Sequence, residues 1–289
     1  MHRYFFFLSL VLLGLSTGCR KPVENGRTAG ASQSIRIVSL APNITEAVCA
    51  VGAGDLLVGR TSACDYPSWI VEKVPVIGNF GAPSLEMLAK MNPTLVLVSD
   101  LADETMGKKM DSLGIRCRRL ATHKLSDIPK LLREVGRLTG HAKNGNRLAD
   151  EMEKRMAELK KQAELCKHPR VYAEIWGDPM TTAGAGTVLS DLIALAGGVN
   201  IGDASHNDYF QISPETVVRA APDVILCLYM NESKGVAEML KKRPGWGAIP
   251  AVKNNAVFDE LNNDVLLRPG PRALDGVAIL KQCFKKAGF

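Results

Sequence analysis

The chain has 289 residues, 46% hydrophobic and 23% charged, the make-up of a folded globular body larger than one small core usually serves. Its formal charge of +6 comes from Lys and Arg interleaved with Glu and Asp, most densely over residues 143–161. Such mixing describes a solvated helix and not a phosphate-binding stripe, so nucleic acid is not an expected partner.

His2 and Arg3 precede YFFFLSLVLLGL, an apolar run with the length of a secretory signal core and too short to span a bilayer. Residues 1–18 therefore read as a signal peptide. The run closes on Leu15-Ser16-Thr17-Gly18-Cys19, which resembles the lipobox at which bacterial lipoproteins acquire their acyl chains, with Ser16 where Leu is usual. Cys19 is the expected lipidation site, and residues 19–34 a polar, Gly- and Ser-containing tether. The expected location is outside the cytoplasm, anchored by lipid on the periplasmic or outer cell-surface side of a membrane. Arg20 favours the outer membrane where a cell has two. Export permits disulfides. Among the other six cysteines, Cys227 in a strand and Cys283 in the last helix form the candidate pair, with buried free thiols as the equal alternative.

Strand-like and helical runs then alternate. IRIVSL, LLVGRT, VPVIG, TLVLVSD and IRCRRL read as strands, separated by PNITEAVCAVGAG, SLEMLAKM and ETMGKKMDSLG as helices. This order means a parallel sheet covered by helices. From residue 126 to 167 the pattern is helical almost throughout, and Leu148, Met152, Met156 and Leu159 mark one apolar stripe. About two dozen residues at 1.5 Å each reach roughly 35 Å, enough to bridge two bodies. Beyond Pro169 the alternation resumes with RVYAEI, TVLSDLIALAGG, SPETVVRAAP, DVILCLY and AVFDEL, and a last helix is expected from Arg272.

Two stretches nearly repeat. SLEMLAKMNPTLVLV (residues 84–98) and SPETVVRAAPDVILC (213–227) align at an offset of 129 residues (213 − 84), matching Ser84, Glu86 and Pro93 to Ser213, Glu215 and Pro222. Each block is a helix start followed by Pro and a buried strand. Each Ser suits a helix N-cap, and each Glu could serve the helix dipole alone. Equivalent helices in two lobes would also present one carboxylate each to a two-fold partner with basic pockets.

Aromatic residues make up only 6% of the chain, yet Tyr66, Trp69, Phe80, Trp176, Tyr209 and Phe210 all fall in connecting segments. Loops at the ends of α/β strands are where such sheets bind ligands, and flat rings suit a large, partly apolar one. Trp246 precedes a strand and reads as structural packing. No GxSxG, P-loop, GxGxxG or HExxH pattern occurs, so no catalytic residue, metal site or cofactor is expected. A metal-dependent hydrolase built on Asp65, Asp178 and His206 is the remote alternative.

RIVSLAPNITEAVCAVGAGDLLVG, the CDYP segment, GNFGAPSLEMLAKMNPTLVLV, EIWGDPMTTAG, LIALAGGVNI, SPETVVRAAPDVIL and WGAIPAVKNNAVF together resemble the helical-backbone class of substrate-binding proteins of bacterial ABC importers. Within that class they are most similar to the cobalamin-binding members. The resemblance implies a monomer of two α/β lobes, residues 35–140 and 169–289, joined by a rigid helix over 141–168. It implies docking of Glu86 and Glu215 onto arginines of the permease subunits. It further implies a corrinoid held between the lobes by Tyr66, Phe80 and Tyr209, with Trp176 close by and the polar pair Asp264 and Arg268; Phe210, in the same loop as Tyr209, is an expected ligand contact from the aromatic pattern. A ferric siderophore or haem in the same frame is the nearer alternative.

Overall fold

The computed structural model describes residues 34–100, 104–112, 114–229 and 235–289. The signal peptide, Cys19 and all of the tether but Ser34 lie outside the described residues. Ile35–Phe289 packs as one compact unit.

Its first half runs β1 (Ile37–Ser39), α1 (Pro42–Ala50), β2 (Leu57–Arg60), α2 (Trp69–Lys73), the short ribbon β3 (Gly78–Asn79) and β4 (Ala82–Pro83), α3 (Leu85–Lys90), β5 (Leu95–Val98), α4 (Glu104–Ser112) and β6 (Cys117–Arg119). Strands β2-β1-β5-β6 form a four-stranded sheet, parallel throughout. Every residue of β1 and β5 is buried, because helices cover both faces. Ile37, Leu95 and Leu97 face one apolar cluster while Val38, Val96 and Val98 face another. VPVIG runs beside β2 but makes only one bridge, Arg60 to Val76, because Pro75 has no N–H to give a ladder.

Two helices follow, α5 (Ile128–Leu138) and the long α6 (Ala142–Ala163). At 22 residues α6 is shorter than the span expected for it. It packs along α5 through Gly136 and Gly145, and Arg133 of α5 reaches Glu153 and Asp150 of α6 at 2.7 and 2.6 Å. The expected stripe holds: Met152 is buried, and Leu148, Met156 and Leu159 pack against the main core.

The second half contains β7 (Arg170–Gly177), β8 (Met180–Ala183), α7 (Val188–Leu195), β9 (Val199–Asn200), β10 (Tyr209–Gln211), α8 (Pro214–Ala220), β11 (Val224–Cys227), α9 (Val236–Lys241), α10 (Pro250–Lys253), β12 (Val257–Phe258), α11 (Asn263–Leu267) and α12 (Asp275–Lys286). The sheet order is β10-β8-β7-β11-β12, with β9 also on β7. β7, β11, β12 and β9 are parallel, and β8 runs antiparallel to both its neighbours, β7 and β10, so this sheet is mixed. Tyr209 and Phe210, expected in a loop, belong to β10. Trp246 is fully buried against Tyr172, as expected of a structural residue.

One apolar cluster runs through both halves, joining Ile37 and Leu97 to α5, α6, Val224, α7 and α12. The halves are therefore braced by a shared core, not hung on a bare linker. The candidate disulfide is absent, since all six described cysteines are free thiols. Alternation along β11 explains why: Val224 and Leu226 face the shared core, which holds Cys283, whereas Cys227 faces the opposite cluster around Trp246.

Candidate ligand cleft

In the first sheet, the segment after the carboxyl end of every parallel strand contributes to a single cavity. Pro42 and Asn43 follow β1, Ala63 follows β2, Ser99 and Asp100 follow β5, and Thr122 and His123 follow β6. The opposite wall comes from the second half: Ile175 of β7, Thr181 of β8, Thr187 and Val188 at the start of α7, Asp208 and Tyr209 at β10, and Asn263 to Pro269 around α11. Phe80, at the tip between β3 and β4, completes the lining. The cavity holds about 550 Å³, within the range of small-molecule clefts. Carboxyl ends of parallel strands are where α/β sheets gather ligands.

Four of the seven residues expected to touch ligand line this cavity: Phe80, Tyr209, Asp264 and Arg268. Phe80 and Tyr209 are 43% and 48% exposed, large rings held open on facing walls. The other three are placed elsewhere. Phe210 neighbours Tyr209 on a strand, so it points to the other side of the sheet and packs against the cluster around Trp246. Trp176 is displaced in the same way while Ile175 lines the cleft; its Nε1 donates to the Asp178 carbonyl at 2.8 Å and its ring lies beside Tyr229. Tyr66 lies under the Arg272 guanidinium, 3.7 Å from the ring centroid, in a second pocket of about 480 Å³ with Glu46 and Trp69. Of the residues imagined for a hydrolase, Asp178 and His206 do not line the cleft, and Asp65 is bonded to Arg268. Among the described residues no cluster of three or more His, Cys, Asp or Glu could hold a metal ion.

The cleft's charges are bound to one another. Arg268 meets Asp65 at 2.7 Å, Asp264 at 2.7 Å and Glu46 at 3.7 Å. The Arg268 hydrogen bond holds the Asp65 carboxyl below its ordinary value of 3.8 against the opposing effect of burial. Arg272 forks onto Glu46 at 2.6 and 2.8 Å, so the segment after α11 is clamped to α1 of the first half. Across the cleft, His123 sets Nε2 at 2.9 Å from Asp100 of its own half and Nδ1 at 3.6 Å from Asp208 of the other. Partial burial, then the Asp208 carboxylate, raises the Tyr209 phenol above its usual range. Asp100, Thr122, His123, Asp208 and Asn263 were not singled out from sequence. Their one legible signal was position, since Asp100, Thr122 and His123 are among the first polar residues beyond strand ends.

The repeated blocks are alike in three dimensions. Ser84 Oγ accepts the Met87 N–H and Ser213 Oγ the Thr216 N–H, capping α3 and α8. Glu86 and Glu215 each stand second in their helix, exposed, with no ion pair among the described residues. Asn92 and Ala221, at the same offset, both have left-handed φ, 45° and 46°. Each block then enters a fully buried strand, β5 or β11.

Residues 37–260 match the family model described as periplasmic binding protein. The vitamin B12-binding protein of Vibrio cholerae serotype O1 is 29% identical over 243 residues, covering 84% of this chain and 86% of that protein. An ABC transporter substrate-binding lipoprotein of Bacillus subtilis (strain 168), YvrC, is 28% identical over 255 residues, covering 86% and 79%. Among solved structures, the periplasmic haem-binding protein RhuT of Roseiflexus sp. RS-1 superposes with a TM-score of 0.79 at 31% identity, covering 89% of this chain and all of that one. The vitamin B12-binding protein BtuF of Vibrio cholerae gives 0.74 at 28%, covering 88% and 97%. These relatives are solute-binding proteins and not enzymes. With two sheets braced by α5 and α6 around one cleft, the chain belongs to the periplasmic binding protein family, as a helical-backbone substrate-binding component of an ABC importer.

Proposed function

We propose that this protein carries a corrinoid, of the cobalamin type, in the cleft between its lobes and hands it to an ABC permease. The observation that carries the reading is the state of the cleft's cation: Arg268, the one arginine lining the cavity among the described residues, is already engaged by Asp65 and Asp264 and approached by Glu46. Asp100 and Asp208 add further negative charge around His123. A polyanionic chelate or a dicarboxylate macrocycle would enter a cleft without a free guanidinium and against several carboxylates. A bulky ring system with an uncharged, amide-rich edge meets no such opposition, and Phe80 and Tyr209 offer it flat contact.

Haem is the second reading because Tyr209 brings a phenol side chain to the cavity wall, a group able to ligate ferric iron once deprotonated. In this proposal Glu86 and Glu215 dock with basic pockets of the permease, and Cys19 carries the lipid that holds the exported protein at a membrane. Isothermal calorimetry of the purified protein in detergent, with cyanocobalamin and haem in parallel, tests the ligand. Corrinoid binding with a Kd on the order of nanomolar, about −12 kcal/mol, is expected. Haem binding alone would overturn the proposal.

A further inference from the structure

Three carboxylates line the cleft among the described residues, Asp100, Asp208 and Asp264, and their surroundings differ. Asp264 is held by Arg268 at 2.7 Å. Asp100 has His123 Nε2 at 2.9 Å and is only 20% exposed. Asp208 is 49% exposed, and His123 Nδ1, from the other half, stands 3.6 Å from it, beyond hydrogen-bond length. Its side chain accepts no hydrogen bond among the described residues. Of the three, Asp208 is the accessible acceptor that the protein itself leaves open.

The neighbouring chain makes room for this group. A Cβ on Gly186 would collide with Asp208 Oδ1, and the Asp208 carboxylate is all that such a Cβ would meet within 4 Å. Gly186 has no left-handed φ that would call for glycine, so the missing side chain serves close approach. Gly186 lines the cleft as well, which sets Oδ1 against the cavity wall. A carboxylate has acceptor sites only. An N–H or O–H of a ligand satisfies it, whereas a ligand carboxylate meets like charge, and Arg268 is already engaged by other carboxylates.

We infer that Asp208 is a specificity-determining residue: its carboxylate accepts an N–H from a carboxamide on the ligand's rim and turns away a ligand that brings a carboxylate to the same place. This rests on the corrinoid reading above and adds which residue reads the rim. Tyr209, next in the chain, offers its ring to the flat face of the macrocycle, which leaves the acceptor beside it for the edge. A wrong ligand both loses the bond and sets two like charges together, so the discrimination exceeds what the bond alone provides.

Calorimetric affinities of cyanocobalamin and of its monocarboxylic acid derivatives, each with one peripheral carboxamide converted to carboxylate, test the inference on wild type, Asp208→Asn and Asp208→Ala. One derivative should bind wild type about tenfold more weakly than cyanocobalamin. In Asp208→Asn, which keeps the side chain's shape and gains a donor, that gap should shrink to about twofold, while the other derivatives change little. Asp208→Ala, which removes the acceptor, should weaken cyanocobalamin itself by about fivefold. Equal binding of every derivative by wild type, a gap unchanged in Asp208→Asn, or a gap that shrinks equally for all derivatives, as a general field would cause, would overturn the inference and leave the corrinoid reading standing. No binding of cyanocobalamin by wild type would overturn both.

Discussion

Glu174 shows how much polar bonding one residue outside the cleft lining can gather. It is fully buried on β7, where Arg243 forks onto it at 2.7 and 2.8 Å and the Tyr172 and Tyr229 hydroxyls donate to the same carboxylate. The Arg243 guanidinium also covers the Trp246 ring, 4.7 Å from its centroid. Arg243→Met would leave a buried charge with two hydroxyl donors only, and should cost about 3 kcal/mol, the low end for breaking a buried pair. Urea denaturation measures it, and adding Glu174→Gln should recover part of the loss. Asp65 makes a different case because it is half exposed, so its bond to Arg268 is screened by solvent. Its folded pKa is lowered, so the stability it contributes is present above its unfolded value and is lost as pH falls through the lowered one. Asp65→Asn should therefore be less stable than wild type near neutral pH. The gap should close in acid, as read from denaturation midpoints across a pH series.

At the scale of elements, the brace of α5 and α6 depends on how closely two backbones approach. A Cβ on Gly145 would lie 2.5 Å from the Leu132 carbonyl oxygen, and one on Gly136 3.0 Å from the Gly145 Cα. Helix propensity alone says that Gly145→Ala should stabilise by about 1 kcal/mol. Sterics win, because the obstructing atom is backbone and cannot rotate away. Gly145→Ala should destabilise by about 1–3 kcal/mol overall, the range for overpacking, which thermal unfolding would show as a lowered midpoint. A neutral or stabilised variant would mean that the two helices are not held at this distance.

For the whole molecule, the shared core and the clamps from Arg268 and Arg272 onto the first half predict small lobe movements on binding. Docking is a separate matter from capture, since Glu86 and Glu215 stand on α3 and α8 and neither lines the cleft. Reversing both, Glu86→Lys with Glu215→Lys, should abolish ligand uptake by cells while leaving calorimetric affinity within about twofold of wild type. Each single reversal should be intermediate. Uptake preserved in the double variant would remove the docking role.

Local order was legible because it is written in neighbouring residues. The strand runs, the apolar stripe of α6, the Ser caps of α3 and α8 and the 129-residue echo all follow from period, capping and duplication, which need no knowledge of distant contacts. Which side of a strand faces the cleft was not legible, because β8 and β10 are short, alternation names two faces without saying which is inward, and β8 runs against the rest of its sheet. Alternation along β10 sets Tyr209 on the cleft wall and Phe210 against the core. Packing against separate clusters likewise set Cys227 apart from Cys283. The pairings of Asp65 with Arg268 and of His123 with Asp208 join residues that sequence distance conceals. Sequence by itself determined most of the longer elements, their order and the family's frame. Only the tertiary structure decided which polar groups are spent on one another and which residues line the cleft, since that depends on where two halves of the chain meet.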